Sequence, residues 1–234
     1  MIEAVTVVVP AHNEEDTVAD CLTSVLSSLE ESGRESYVVV AADSCSDSTA
    51  RRSRDVLGGR GLVVEGGWRN AGAARFAGTK AALCHAQQVD LGSLWLANTD
   101  ADSIVPPDWV RSQLKYGDGG FAAVAGVVTV TSFDGHPEGT EALFWQTYLL
   151  PESGGHPHVH GANLGVLAAA YMAVGGWPKV ALAEDHALWN RLRAGGWQTI
   201  SPQDVVVHTS GRPHGRAPGG FADALRELGL GRGK

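Results

Sequence analysis

The feature that most constrains this chain is an alternation in its first hundred residues. Four short apolar runs, "VTVVVP" (5–10), "YVVVAAD" (37–43), "GLVVE" (61–65) and "SLWLANTD" (93–100), are separated by segments with helical spacing. Such runs suit strands buried on both faces. The first intervening segment carries Val18, Cys21, Leu22, Val25, Leu26 and Leu29 on one helical face, and Gly33 supplies a stop. The second, "SDSTARRSRDVL", opens on a Ser or Asp cap, and the third, "NAGAARFAGTKAALCHAQQ", is rich in alanine. A βαβαβαβ order predicts an α/β fold: a mostly parallel sheet with helices on both faces.

That order also locates a site. Ligands on open parallel sheets bind beyond the carboxyl ends of the strands. The polar clusters at 11–14, 43–47 and 98–102 all fall there. Three strand tips are therefore expected to aim their chemistry at one crevice.

The second half reads as more mixed. "FAAVAGVVTVTSF" predicts one long strand, and "EGTEALFWQTYLL" a helix with its aromatics turned inward. A Gly/His/Pro-rich loop, "PESGGHPHVHGANLG", follows and leads into "VLAAAYMAVGGW". "LAEDHALWNRLRAGGW" predicts a helix closed by two glycines, "QTISPQDVVVH" short strands, and the tail a loop and a short helix. Trp95 and Trp189 are assigned to the core; Trp177 lies on a loop, with packing its default role and sugar stacking the alternative. There are no repeats, and the division expected is a main domain over 1–210 and a basic tail over 211–234.

Bulk properties exclude several classes. A net charge of −8 over 234 residues argues against nucleic-acid binding, which needs a basic face. The three cysteines show no metal-binding spacing and predict no disulfide framework. The opening "MIEAVTVVVPAHNEE" is not a signal peptide, and no apolar run reaches the ~20 residues that span a bilayer. These features predict a cytoplasmic chain without a transmembrane segment; a peripheral membrane contact stays open.

Asp100 and Asp102 leave the fourth strand one residue apart. Carboxylate oxygens in that arrangement suit Mg²⁺ or Mn²⁺, which completes its shell with phosphate oxygens and water. Nucleotide or diphosphate binding follows. A second pair, Glu184 and Asp185, begins a helix, where acids also complement the dipole. His156, His158 and His160 alternate and share a face if extended, but nothing supplies a clear fourth zinc ligand. His12 and His186 sit beside site candidates and are read as neighbours.

In order along the chain, "VTVVVPAHNEEDTVADCLTSV", "DSCSDSTA", "RNAGAARFAGTKAA", "NTDADSIVPPDWV", "VGGWP" and "AEDHALWNRLRAGGW" resemble the family 2 glycosyltransferases of GT-A fold. The resemblance covers roughly residues 4 to 208. It implies that Pro10, Ala11, Asn13 and Glu14 line the base and ribose of a nucleotide-diphosphate sugar. Asp43 would contact the base; Ala42 stands where the family commonly has a further acid. Arg75 would lie near the nucleotide. Asp102 would bind the metal and Asp100 the ribose or a metal-bound water. Asp185 would be the general base for the acceptor hydroxyl, with Glu184 beside it on the substrate. The family's reaction is a single displacement with inversion.

In several GT-A enzymes a late histidine joins the metal shell, a role His208 would take, and a basic tail closes over the diphosphate. Arg212 and Arg216 would make those phosphate contacts, with Gly211, Gly215, Gly219 and Gly220 letting the segment move as a lid. The histidine-rich loop would border the acceptor, whether a small molecule, a saccharide or a lipid-linked group. Three alternatives are carried: a non-catalytic nucleotide-binding scaffold, a sugar-phosphate nucleotidyltransferase, and a retaining enzyme. The second is disfavoured because "PAHNEED" is acidic where a Gly-rich basic phosphate loop belongs.

Overall fold

The structure is a computed structural model that describes residues 1–148, 151, 154–178, 180, 182–216 and 220–231. In chain order its first half runs β1 (Ala4–Ala11), α1 (Val18–Ser32), β2 (Glu35–Asp43), α2 (Thr49–Leu57), β3 (Gly61–Gly66), α3 (Ala71–His85), β4 (Leu94–Asn98), β5 (Ser103–Ile104) and α4 (Trp109–Asp118). The second half runs β6 (Ala123–Ala125), β7 (Val127–Val130), α5 (Thr140–Thr147), β8 (Leu164–Leu167), α6 (Ala168–Ala173), α7 (Glu184–Ala194), β9 (Thr199–Ile200), β10 (Val206–Thr209) and α8 (Phe221–Gly229). Leu149 and Leu150, in the helix predicted from sequence, lie outside the described residues.

The seven-stranded sheet has the order β3-β2-β1-β4-β8-β6-β9. β1 is parallel to both β2 and β4, and only β8 runs against its neighbours. The predicted α/β layering is therefore what forms. Every apolar residue of the α1 stripe is buried, and Gly33 ends the helix with φ 64° in the left-handed region. Asn70 caps α3 by accepting from the Ala73 amide at 2.8 Å. Gly78 lets α3 lie on the sheet, because a Cβ there would stand 2.7 Å from Val8 Cγ1.

Alternation along the strands sends side chains into two cores. Val5, Val7 and Val9 meet α1 on one face; Val8, Leu94 and Leu96 meet Trp189 and Leu192 on the other. Trp95 is fully buried, and its indole N–H donates to Gln113 Oε1 at 2.8 Å. Truncating such a side chain costs about 3–5 kcal/mol.

The long strand predicted over 121–133 is two strands in two sheets. β6 stays in the main sheet, while β7 joins β10 and β5 in a second, three-stranded sheet. The break is at Gly126, where a side chain would collide with Asn163 and the Val205 carbonyl. Asn163 pins the junction: its amide donates to Val127 O at 2.8 Å and Val205 O at 3.0 Å, and its oxygen accepts from Trp109 Nε1 at 2.9 Å. Only Phe144 and Tyr148 of the predicted inward aromatics are buried; Trp145 is 42% exposed, since a two-turn helix buries one face.

The C-terminal α8 packs on α5 and places Leu225 in a cluster with Val127, Val128, Phe144 and Tyr148. Among the described residues no helix is long and apolar enough to cross a membrane.

Candidate active site

The loops leaving β1 and β2 are tied together reciprocally. Asn13 Oδ1 accepts from the Ser46 amide at 2.8 Å, Glu15 Oε2 accepts from the Ser48 amide at 3.1 Å, and the Glu14 amide donates to Thr49 Oγ1 at 2.7 Å. Pro10 and Ala11 end β1 beneath these loops. Among the described residues, the non-glycine residues with positive φ are Asn13 (52°), Ser44 (52°), Arg69 (49°) and Ala183 (57°). The first three lie at the β1, β2 and β3 tips, and Ala183 precedes the second acidic pair. Backbone held in a sparsely populated region concentrates at functional sites.

Asp43 is buried and already satisfied. Its carboxylate accepts from the Arg69 amide at 2.7 Å, the Asn70 amide at 2.9 Å and the Ser44 hydroxyl at 3.0 Å. It organises the turn into α3. His12 Nδ1 stands 2.6 Å from the Asp43 carbonyl, which can only accept, so Nδ1 carries the proton.

At the β4 tip, Asp102 has 14% of its side chain exposed and faces Arg212 Nη2 at 2.7 Å. The same guanidinium forks onto Glu14, with Nη1 2.9 Å from Oε2 and Nη2 2.5 Å from Oε1. Burial pushes the Asp102 carboxyl up to about 7; Arg212 opposes the rise, while Asp100 and Glu14 add to it. Arg216 is looser, with Nε 3.9 Å from Glu14 Oε1.

Arg75 reaches the site from α3 and is buried. One terminal nitrogen pairs with Asp100 and the other with Glu184. Its guanidinium carbon lies 5.5 Å from the centre of the Trp177 ring, and Trp177 is itself buried, so that ring packs a cation and offers no sugar platform. Asp185, at the start of α7, accepts from the Gly161 amide at 2.9 Å and from the His186 amide at 2.7 Å. Asp100, Arg75 and Glu184 thus form a continuous link between the two acidic pairs.

His208 is exposed on β10, opposite Ile104, with Nδ1 2.6 Å from Thr129 Oγ1. Among the described residues no three His, Cys, Asp or Glu side chains are grouped closely enough to hold a metal ion by themselves. The three loop histidines form a ladder: ring centres lie 5.7 Å apart for His156–His158 and 5.9 Å for His158–His160. Tyr148 stacks on His158 at 4.0 Å, and its hydroxyl stands 3.0 Å from His160 Nε2 and accepts from the Val128 amide at 3.0 Å. Burial holds His160 down to about 4, against the pull of Asp185.

Gly161 and Tyr148 carry no site signal in the sequence, and Trp177, weighed there for packing or sugar stacking, does the former. A glycine inside "HGANLG" shows no chemistry of its own; its role emerges only from what it lies against.

No curated protein matches the chain. Among solved structures, the mannosyltransferase PcManGT from Pyrobaculum calidifontis, in complex with GDP-Man and Mn²⁺, has a TM-score of 0.67 at 23% identity, covering 91% of this chain and 58% of that one. S. aureus TarS gives 0.66 at 14% identity, covering 89% of this chain and 37% of that one. TarS 1–349 in complex with UDP-GlcNAc gives 0.66 at 14%, with coverages of 93% and 61%. The chain therefore spans less than two thirds of each, and the likeness shows a shared GT-A architecture. The model described as "Glycosyl transferase family 2" matches residues 6–173, well over half of the chain. This chain belongs to glycosyl transferase family 2.

Proposed function

We propose that this protein transfers a sugar from a nucleoside diphosphate to an acceptor hydroxyl, with a divalent cation and with inversion by direct displacement. The observation that carries the reading is the linkage of the strand-tip acids to the α7 acids through one buried guanidinium. It ties Asp100, the proposed donor-side carboxylate, to the helix turn that carries Asp185, the proposed base.

The acidic residues fit a cation chemically. Glu14 and Asp102 are largely buried and Asp100 is partly exposed beside them; burial pushes Asp102 up to about 7 despite an arginine at 2.7 Å. These carboxylates face Arg75 and Arg212, and a hard divalent ion could take the place of those cations. Asp102 would hold Mg²⁺ or Mn²⁺, with His208 as the candidate further ligand from β10. Bound there, the ion would offset charge on the departing diphosphate.

Each remaining role falls to a residue of the chain. Pro10, Ala11, Asn13 and Glu14 would border the nucleoside, and Asp43 would shape that wall through the β3–α3 turn. Arg212 and Arg216, which now face carboxylates, would turn to the diphosphate when it arrives, so the segment from 211 acts as a cover. Gly219 of the predicted hinge set lies outside the described residues. Asp185 would take the acceptor's proton as its oxygen attacks the anomeric carbon, a contribution of about 10²–10⁴-fold. The Gly161 and His186 amides fix its two oxygens.

The test is nucleoside diphosphate release from GDP-mannose and UDP-GlcNAc, with Mn²⁺ or with EDTA, followed by the anomeric configuration of the product by NMR. Cation-dependent release and an inverted product support the reading. Binding without release in every condition would make the chain a scaffold, and a retained configuration would remove direct displacement.

A further inference from the structure

Resemblance places Arg75 near the nucleotide, but its surroundings leave it no accessible donor for a phosphate. Both terminal nitrogens are bound to carboxylates, Asp100 and Glu184, and Nε is buried without a partner. Two further residues pack against it. The Trp177 ring centre lies 5.5 Å from the guanidinium carbon, and Gly161 approaches so closely that a Cβ there would stand 2.6 Å from that carbon. Gly161 then donates its amide to Asp185 Oδ2 at 2.9 Å. An arginine fork has fixed geometry, so two carboxylates on its two prongs are held at a fixed separation.

We infer that Arg75 is a positioning residue: a buried strut that sets the distance between the β4 acids and the α7 acids, and through Glu184 and Gly161 the aim of Asp185. The strut has two outputs. Glu184 anchors the first turn of α7, whose next residue is Asp185. Gly161, pressed against the guanidinium, presents the amide that orients Asp185. A side chain at 161 would have to displace the Arg75 guanidinium, because the three nearest atoms to an added Cβ all belong to it; the φ of Gly161 is not in the left-handed region. The inference rests on the proposed transferase reading for its effect on turnover, but not for its effect on the Gly161 amide.

Three variants separate the outcomes. Arg75→Gln removes the strut and leaves Asp100 and Glu184 without their shared cation. Glu184→Gln weakens one prong, and Gly161→Ala keeps every charge while displacing the guanidinium. UDP and GDP binding with Mn²⁺ gives the number of competent sites, to which turnover is normalised. A misplacement of about 1 Å costs about 100-fold in rate, so kcat per site should fall by that order in Gly161→Ala and Glu184→Gln. The dissociation constant for UDP or GDP should stay within about twofold, the signature of an interaction expressed at the reacting centre. Amide hydrogen exchange at position 161 should quicken in Glu184→Gln and Arg75→Gln. Unchanged kcat per site with unchanged exchange at 161 would overturn the strut. So would nucleoside diphosphate affinity falling by about tenfold while UMP or GMP affinity holds, which would make Arg75 a phosphate ligand. If the wild type releases no nucleoside diphosphate from any sugar nucleotide, the transferase reading falls, and the exchange at 161 still decides the strut.

Discussion

Arg212 closes a fork on Glu14 across 198 residues of chain, with Nη1 2.9 Å from Oε2, and its other amino nitrogen reaches Asp102 at 2.7 Å. The C-terminal segment thereby supplies a positive charge to the acids at the β1 and β4 tips. Its path is set locally. Gly211 is pressed against the Ser132 carbonyl, and its own carbonyl is 2.7 Å from His136 Nε2. The acidic corner and the basic tail thus neutralise one another.

Arg212→Ala should separate two effects of that contact. With Glu14 and Asp102 released, Mn²⁺ alone should bind more tightly than to the wild type. UDP or GDP with Mn²⁺ should bind more weakly, by roughly 10- to 100-fold, because a charge-assisted hydrogen bond contributes about 1.5–3 kcal/mol. Isothermal titration reads both. If neither affinity moves, the tail has no part in the site.

Asp185→Asn keeps the shape of the side chain and, through its one oxygen, one of the two amide contacts, but removes its ability to take a proton. Turnover should fall by about 10²–10⁴-fold, and donor affinity should stay within about a factor of two. Retained turnover would end the assignment of Asp185 as base. Lost donor affinity would move it into the donor site.

His160 makes stability sensitive to acid. Its folded value is held down to about 4, below the ordinary 6.5, chiefly by burial. Between those values the unfolded chain binds more protons than the folded one, so stability rises with pH through this window and is lost as pH falls from 6.5 towards 4. The full difference is roughly 3 kcal/mol. His160→Gln keeps a partner for the Tyr148 hydroxyl and should flatten the fall in Tm between pH 7 and pH 4.5. An unchanged slope would place the acid sensitivity elsewhere.

The first half of the fold was legible because each element announced itself locally. The α1 stripe, the Asn70 cap and the four β-branched runs needed no tertiary information. Gly126 was not legible: "AVAGVVTV" reads as one strand until Asn163, 37 residues later in number, arrives to divide it. β5 was missed for a similar reason, since two residues gain strand character only by pairing with β10. At the site, the carboxylates stood out because paired acids at a strand end are chemically unusual. Their partners did not. Arg75 reads from sequence as a residue near the nucleotide, and its burial between Asp100 and Glu184 depends on one partner 25 residues away and another 109 residues away. Asp43, read as a base contact, lies with its carboxylate already committed to three donors.

The central claim, that the acids at the strand tips grip a cation and through it a nucleoside diphosphate, is tested most directly by titrating UDP and GDP into wild type and Asp102→Ala, each with Mn²⁺ and with EDTA. One of the two nucleotides should bind the wild type tightly only when Mn²⁺ is present, more tightly at pH 8 than at pH 6 because a proton competes for an Asp102 carboxyl pushed up to about 7, and the variant should lose that dependence. Equal binding with Mn²⁺ and EDTA, or a Mn²⁺ response that survives the loss of Asp102, would contradict it.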